Sequence, residues 1–127
     1  MKYTVLVIED NAITSEFVRI ALETHGYSVL EAPTGKAGIT MTIDHSPHLI
    51  LQDLLLPDID GFELAERLRA LPEGRVIPIL AFSAFCSKFE EATKCAAFTG
   101  YVSKPIEPLQ LIKTIGGYLS DHGRNEE

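Results

Sequence analysis

The chain has 127 residues, enough for one domain with a real core and too few for two. Its 46% hydrophobic and 23% charged residues are ordinary for a globular protein, and no run approaches the roughly 18 consecutive apolar residues of a membrane span. The net charge of −7 argues against direct nucleic-acid binding, which needs clustered Lys and Arg, and suits a metal ion or a basic partner surface.

Val5 to Ile8 is a continuous apolar run that reads as a strand buried on both faces. It is too short for a signal-peptide core and ends in acids, so a cytoplasmic protein is the default. Glu9-Asp10-Asn11 closes the strand. A helix is predicted from about Ala12 to His25, with Ile13, Phe17, Ile20 and Ala21 as its apolar stripe and Gly26 as its cap. Tyr27 to Ala32 alternates like a less buried strand near an edge. After the turn Pro33-Thr34-Gly35 a helix follows to about Asp44, weakened in propensity by Gly35, Gly38 and its threonines.

Leu49 to Leu51 is a short buried strand that delivers Asp53 to its C-terminal end, and Pro57-Asp58-Ile59-Asp60-Gly61 turns the chain. Asp58 and Asp60 read as turn-formers. Phe62 to Ala70 is predicted helical, with Leu64, Leu68 and Leu71 on one face. Leu71 to Arg75 is a loop. Val76 to Phe82 is another buried strand, ending at Ser83-Ala84. Lys88 to Ala97 is a helical stretch of mixed polarity, with Phe82, Phe85 and Phe89 as packing residues. Gly100 to Ser103 is a short strand before Lys104-Pro105. The last helix, about Pro108 to Leu119, carries Leu109, Ile112, Ile115 and Leu119 on one face, with Pro108 in its first turn. Residues 1–120 form the expected domain, and 121–127 a flexible tail or the start of a linker. Cys86 and Cys95 lack metal-ligand spacing and read as free thiols. His25, His45, His48 and His122 share no spacing and read as surface residues.

Five strand–helix units imply an α/β fold, a three-layer doubly wound parallel sheet with helices on both faces. The C-terminal strand ends of such a sheet share one rim, where ligands bind. Glu9 and Asp10, Asp53, Ser83 and Lys104 would meet there. Three close carboxylates repel one another unless a cation compensates. A sparse, oxygen-only donor set suits Mg²⁺. A metal and a lysine flanking a carboxylate are what phosphoryl transfer to an aspartate requires. Ser83 could donate to a phosphate oxygen or cap the next helix.

Taken together, the Glu9-Asp10 pair, the Asp53-Leu-Leu-Leu-Pro-Asp-Ile-Asp-Gly61 stretch, Ser83-Ala84 and Lys104-Pro105 resemble the receiver domain of two-component response regulators. Each motif alone is weak, but the ordered set is specific. The resemblance spans Val5 to Leu119. It implies a flavodoxin-like five-stranded sheet in the order 2-1-3-4-5, which is also the general example of such sheets for this family. It implies that Asp53 is the phospho-acceptor and that Glu9, Asp10, Asp53 and the backbone carbonyl of Leu55 hold Mg²⁺, Asp10 more directly than Glu9. It further implies Lys104 as phosphate-binding lysine, Ser83 and Tyr101 as switch residues, and a cis peptide before Pro105. The expected partner is a histidine kinase or a histidine phosphotransfer protein. Phosphorylation is expected to switch the surface built from the fourth helix, fifth strand and fifth helix. A homodimer through that surface is an open option.

Some positions depart from the family pattern. The acid pair is Glu-Asp rather than Asp-Asp, and Gln52 stands where an apolar residue is more usual. Leu55 and Phe85 flank the site, and neither side chain can orient a water by hydrogen bonding, so slow autodephosphorylation is expected. The rival readings are a phosphorylation-independent interaction module, which would show a broken acid set, and a flavodoxin-like electron carrier. The carrier would need a Ser/Thr/Gly-rich phosphate loop where Glu9-Asp10-Asn11 stands. An aspartyl-phosphate phosphatase would need a second acid two residues after Asp53, where Leu55 stands.

Overall fold

Successive side chains of a strand point to opposite faces, so an apolar strand inside a sheet must be covered on both sides. The computed structural model describes residues 2–84, 90–92 and 94–125, with side chains as far as Ser120. The apolar residues of β1 (Thr4–Ile8), β3 (Leu49–Asp53) and β4 (Ile79–Ser83) are all buried. β2 (Ser28–Ala32) and β5 (Gly100–Ser103) are less covered and form the two edges. All neighbouring pairs are parallel and the order is β2-β1-β3-β4-β5, as expected.

The alternation along the strands builds two cores. On one face Val5, Val7, Leu49, Leu51, Leu80 and Phe82 pack with Val18 and Leu22 of α1 (Ala12–Thr24). Leu111, Ile115 and Leu119 of the C-terminal helix (Pro108–Asn125) complete that layer. On the other face Leu6, Ile8, Ile50 and Ile79 pack with Leu64 and Leu68 of α3 (Gly61–Ala70), and with Ala37 and Met41 of α2 (Gly35–His45). The weak propensity of α2 has a packing answer: a Cβ at Gly38 would lie 2.5 Å from Ile8 Cδ1, so the glycine lets the helix settle onto β1.

Several expectations need correction. In α1 three of the four predicted stripe residues face outward, with Ile13 79%, Phe17 40% and Ile20 51% exposed; Ala21 is buried as expected, together with Ser15, Val18 and Leu22. Both stripes have helical spacing. The small Ser15 and Ala21 let the inner one approach the sheet, and Ser15 Oγ donates to Glu31 Oε2 of β2 at 2.7 Å. In the C-terminal helix Leu111 takes the core position expected of Leu109, which is 65% exposed. That helix runs to Asn125, past Leu119 and into the segment expected as a tail. β4 begins at Ile79 rather than Val76, which is 73% exposed, because Pro78 has no N–H to give a ladder. His48 is not a free surface residue: its Nδ1 accepts from Thr4 N at 2.9 Å and its ring stands edge-on to Tyr3.

Residues 90–92 and 94 are helical within the predicted fourth helix. Phe85, Cys86, Lys88 and Phe89 lie outside the described residues. Cys95 is a free thiol.

At the end of the sheet away from the strand C-termini, Arg69 joins four segments. Its Nε donates to Ala97 O at 3.0 Å, its Nη1 to Gly74 O at 2.8 Å and to Ile77 O, and its Nη2 to Thr99 Oγ1 at 2.8 Å. These contacts tie the end of α3 to the 3-10 turn Pro72–Gly74 and to the residues before β4 and β5. Burial lowers the guanidinium pKa below its ordinary value. Among the described residues no helix is long and apolar enough to cross a membrane.

Candidate functional site

The parallel order brings the C-terminal ends of β1, β3, β4 and β5 to one rim. Asp53 is the last residue of β3 and only 6% exposed. Its Oδ1 accepts from Leu55 N at 2.9 Å, and its Oδ2 accepts from Lys104 Nζ at 3.0 Å. Lys104 follows β5, where its N donates to Ser83 O at 3.0 Å and its peptide to Pro105 is cis. The ammonium also stands 4.7 Å from the centre of the Phe82 ring, a cation–π contact the sequence did not reveal.

Glu9 is buried just beyond β1. Its Oε2 accepts from Lys104 Nζ at 2.7 Å and its Oε1 from Asn11 N at 3.2 Å. Asn11 caps α1 in turn, accepting from Thr14 N. Asp10 is exposed beside them. Ligand oxygens of Glu9, Asp10 and Asp53 lie within 4.8 Å of one another. Ser83 is buried at the end of β4, and its carbonyl accepts from Tyr101 Oη at 3.2 Å. The rim therefore gathers Glu9, Asp10, Asp53, Ser83 and Lys104, with Tyr101 one hydrogen bond behind Ser83.

Two buried carboxylates share one ammonium, which leaves an excess of negative charge. Burial first, and then Asp53, push the Glu9 carboxyl up to about 7 although Lys104 draws it down. For Lys104 burial works against the charge, but the hydrogen bonds to Glu9 and Asp53 win and hold the ammonium above its ordinary value. A site short of positive charge and furnished only with oxygen donors fits a hard divalent cation.

The arch after Asp53 is closed on itself. Leu55 and Asp60 form an antiparallel bridge. Asp60 caps α3 by accepting from Phe62 N and Glu63 N, both at 3.1 Å. A Cβ at Gly61 would lie 2.6 Å from the backbone of Leu54, so no larger residue fits there. The Leu55 side chain is 48% exposed beside the site. Asp58 does more than form the turn: it accepts from Gly35 N and Lys36 N, both at 2.9 Å, and so caps α2 from another segment. Those bonds, from Lys36 first and then Gly35, hold its carboxyl below the ordinary value.

Gln52 was visible in the sequence only as a polar residue in an apolar strand. It is fully buried, and its Nε2 donates to Gly61 O at 2.7 Å and to Asp53 O at 3.3 Å. Its Oε1 finds no hydrogen-bond partner among the described residues. Such an orphaned acceptor costs about 1–3 kcal/mol.

Beside the rim lies an apolar groove of about 760 Å³. Ile13 and Phe17 of α1 line one side, and Pro105, Ile106 and Pro108 the other, with Lys104 at its edge.

Comparison with known proteins agrees with this geometry. Residues 5–116 match the family model described as the response regulator receiver domain. The polar-differentiation response regulator DivK of Brucella ovis is 34% identical over 122 residues, which cover 95% of this chain and 99% of that protein. The chemotaxis response regulator CheY4 of Vibrio cholerae superposes with a TM-score of 0.86 at 25% identity, over 93% of this chain and 99% of that one. The receiver domain of a Pseudomonas aeruginosa sensor histidine kinase, solved with a magnesium ion in its active-site cleft, shares the fold. Its TM-score is 0.86 at 23% identity, over 94% of this chain and 99% of that one. With the family model spanning most of its length, and with the sheet order and rim described above, this chain belongs to the response regulator receiver domains of two-component systems.

Proposed function

We propose that the chain is a phosphorylation-controlled switch whose Asp53 accepts a phosphoryl group from a phosphohistidine. One observation carries the reading. Asp53 is a buried carboxylate with Lys104 Nζ at 3.0 Å on one side and the Glu9 and Asp10 carboxylates within 4.8 Å on the other.

An Asp53 oxygen attacks phosphorus, the P–N bond breaks, and its electron pair leaves with the imidazole. Glu9, Asp10, Asp53 and the Leu55 carbonyl would hold Mg²⁺, as the magnesium in the Pseudomonas neighbour supports. When bound, the ion supplies charge that neutralises phosphoryl oxygens. Lys104 offers an ammonium to the same oxygens, and Leu55 N–H orients the carboxylate. Ser83 and Tyr101 act as switch residues, coupled through the Ser83 carbonyl. The new dianion draws Lys104 and Ser83 inward and biases the surface of the fourth helical segment, β5 and the C-terminal helix.

The phosphodonor is a histidine kinase or a histidine phosphotransfer protein, acting in the cytoplasm. The exposed Ile13 and Phe17 and the groove beside Lys104 support its docking over α1. Residues 1–120 are the receiver unit in this reading, and the switched surface is available for a homodimer. The test is labelling by a small phosphodonor with Mg²⁺. Wild type should become labelled and Asp53→Asn should not; equal labelling of the two removes Asp53 from its role.

A further inference from the structure

We infer that Gln52 is a positioning residue for the metal-facing side of the site, an inference that rests on the proposed Mg²⁺ reading. Every other side chain of β3 before Asp53 is apolar, yet position 52 carries a fully buried amide. Both of its N–H donors are spent on backbone, one at each end of the arch that carries the site. Asp53 O lies at the beginning of that arch and Gly61 O at its end.

What lies between these two points is tightly coupled. Leu55 N–H donates to Asp53 Oδ1. Leu55 and Asp60 are bridged, and Gly61 sits against the backbone of Leu54 with no room for a Cβ. Pinning the two ends therefore fixes the Leu55 peptide, whose carbonyl faces the ion in this reading, relative to the Asp53 carboxylate.

Stability alone does not account for this residue. Its Oε1 is buried without a donor among the described residues, so the amide brings a cost along with its bonds. A methionine or leucine of similar volume would fill the space without that cost, although Gly61 O and Asp53 O would each lose a donor. What those side chains lack is the two-ended clamp.

The full chain is compared as wild type, Gln52→Met and Gln52→Leu. Mg²⁺ is titrated and followed through the backbone amide shifts of residues 53–55 by NMR, with thermal melts alongside. Folded variants with melting points close to wild type are expected, because one orphaned oxygen is exchanged for two carbonyls that lose a donor, together with a Mg²⁺ dissociation constant weakened about tenfold, the usual size of a lost outer-shell contact. Labelling by acetyl phosphate should return close to the wild-type rate at saturating Mg²⁺, which puts the effect in metal binding rather than in the attack. An unchanged Mg²⁺ affinity in a folded variant overturns the inference. So does loss of the fold in both variants, because Gln52 would then serve stability. Should wild type itself show no Mg²⁺-dependent shifts, the metal reading fails and the inference with it. That result is distinct from wild type and variants binding alike.

Discussion

Glu9 Oε2 and Lys104 Nζ meet at 2.7 Å across the rim, closer than the ammonium stands to Asp53. The longer glutamate, where an aspartate is commoner in the family, thus reaches the lysine directly. Glu9 competes with Asp53 for the only cation within hydrogen-bonding distance of both among the described residues.

This pair gives the metal-free protein a pH dependence. The Glu9 carboxyl titrates at about 7 in the fold against an ordinary 4.5. Between these values the folded protein binds more protons than the unfolded chain, so stability falls as pH rises. The contribution is complete below pH 4.5 and lost as pH passes through about 7. Denaturant midpoints should fall across that window in wild type, and Glu9→Gln should flatten the fall. A difference between the two proteins that stays constant from about pH 5 to about pH 8 would contradict the assignment. Mg²⁺ should stabilise wild type most at the upper end, where Glu9 is ionised.

The outward stripe of α1 leads to a second expectation. Phe17→Ala removes an exposed aromatic from the groove wall and touches none of the site's hydrogen bonds. Transfer from a phosphohistidine protein should slow by roughly tenfold, the usual size for a well-placed interface aromatic. Labelling by acetyl phosphate should stay unchanged. Equal loss with both donors would place the defect in the site instead.

If Asp53 is phosphorylated as proposed, Leu55 is expected to set how long the phosphoryl group lasts. Its apolar side chain is half exposed beside Asp53 and offers water no hydrogen bond. Wild type should hold its phosphoryl group for minutes or longer with Mg²⁺ present, and Leu55→Asn should shorten that time several-fold. Decay within seconds in wild type would refute this.

Gly61 is the tightest point of the arch. Gly61→Ala puts a Cβ against the Leu54 backbone, which cannot swing away as a side chain could. A loss of about 1–3 kcal/mol in urea unfolding is expected, along with slower labelling of Asp53. An alanine variant as stable as wild type would show that the arch yields more easily than its geometry indicates.

The edge place of β2 was legible in its alternation, and the convergence of Glu9, Asp53 and Lys104 in where apolar runs end, while the sheet order came from the family resemblance and not from the runs themselves. Run ends survive in a linear sequence. The faces of α1 and the C-terminal helix were not legible, since Phe17 and Val18, or Leu109 and Leu111, fit helical spacing equally well. Only contact with the sheet separates them. The duties of Asp58, Gln52 and His48 were hidden for another reason. Each bonds to backbone of another segment, Asp58 to Gly35 and Lys36, His48 to Thr4, and Gln52 to Gly61 across the arch. Their residue types give no sign of distant partners.

Arg69 and Lys104 are both partly buried cations, one at each end of the sheet, but they answer to different surroundings. The partners of Lys104 are two carboxylates, of which Glu9 is pushed up to about 7, and both would be rearranged by a phosphoryl group on Asp53. The partners of Arg69 are three carbonyls and a hydroxyl, none of which titrates in the working range. In the proposed reading acid, metal and phosphate would act on one end of the molecule, away from the Arg69 fastening at the other. The fold then has a fastened end and an end built to respond, so a signal written at the rim would be read against a base held by bonds that neither proton nor phosphate alters.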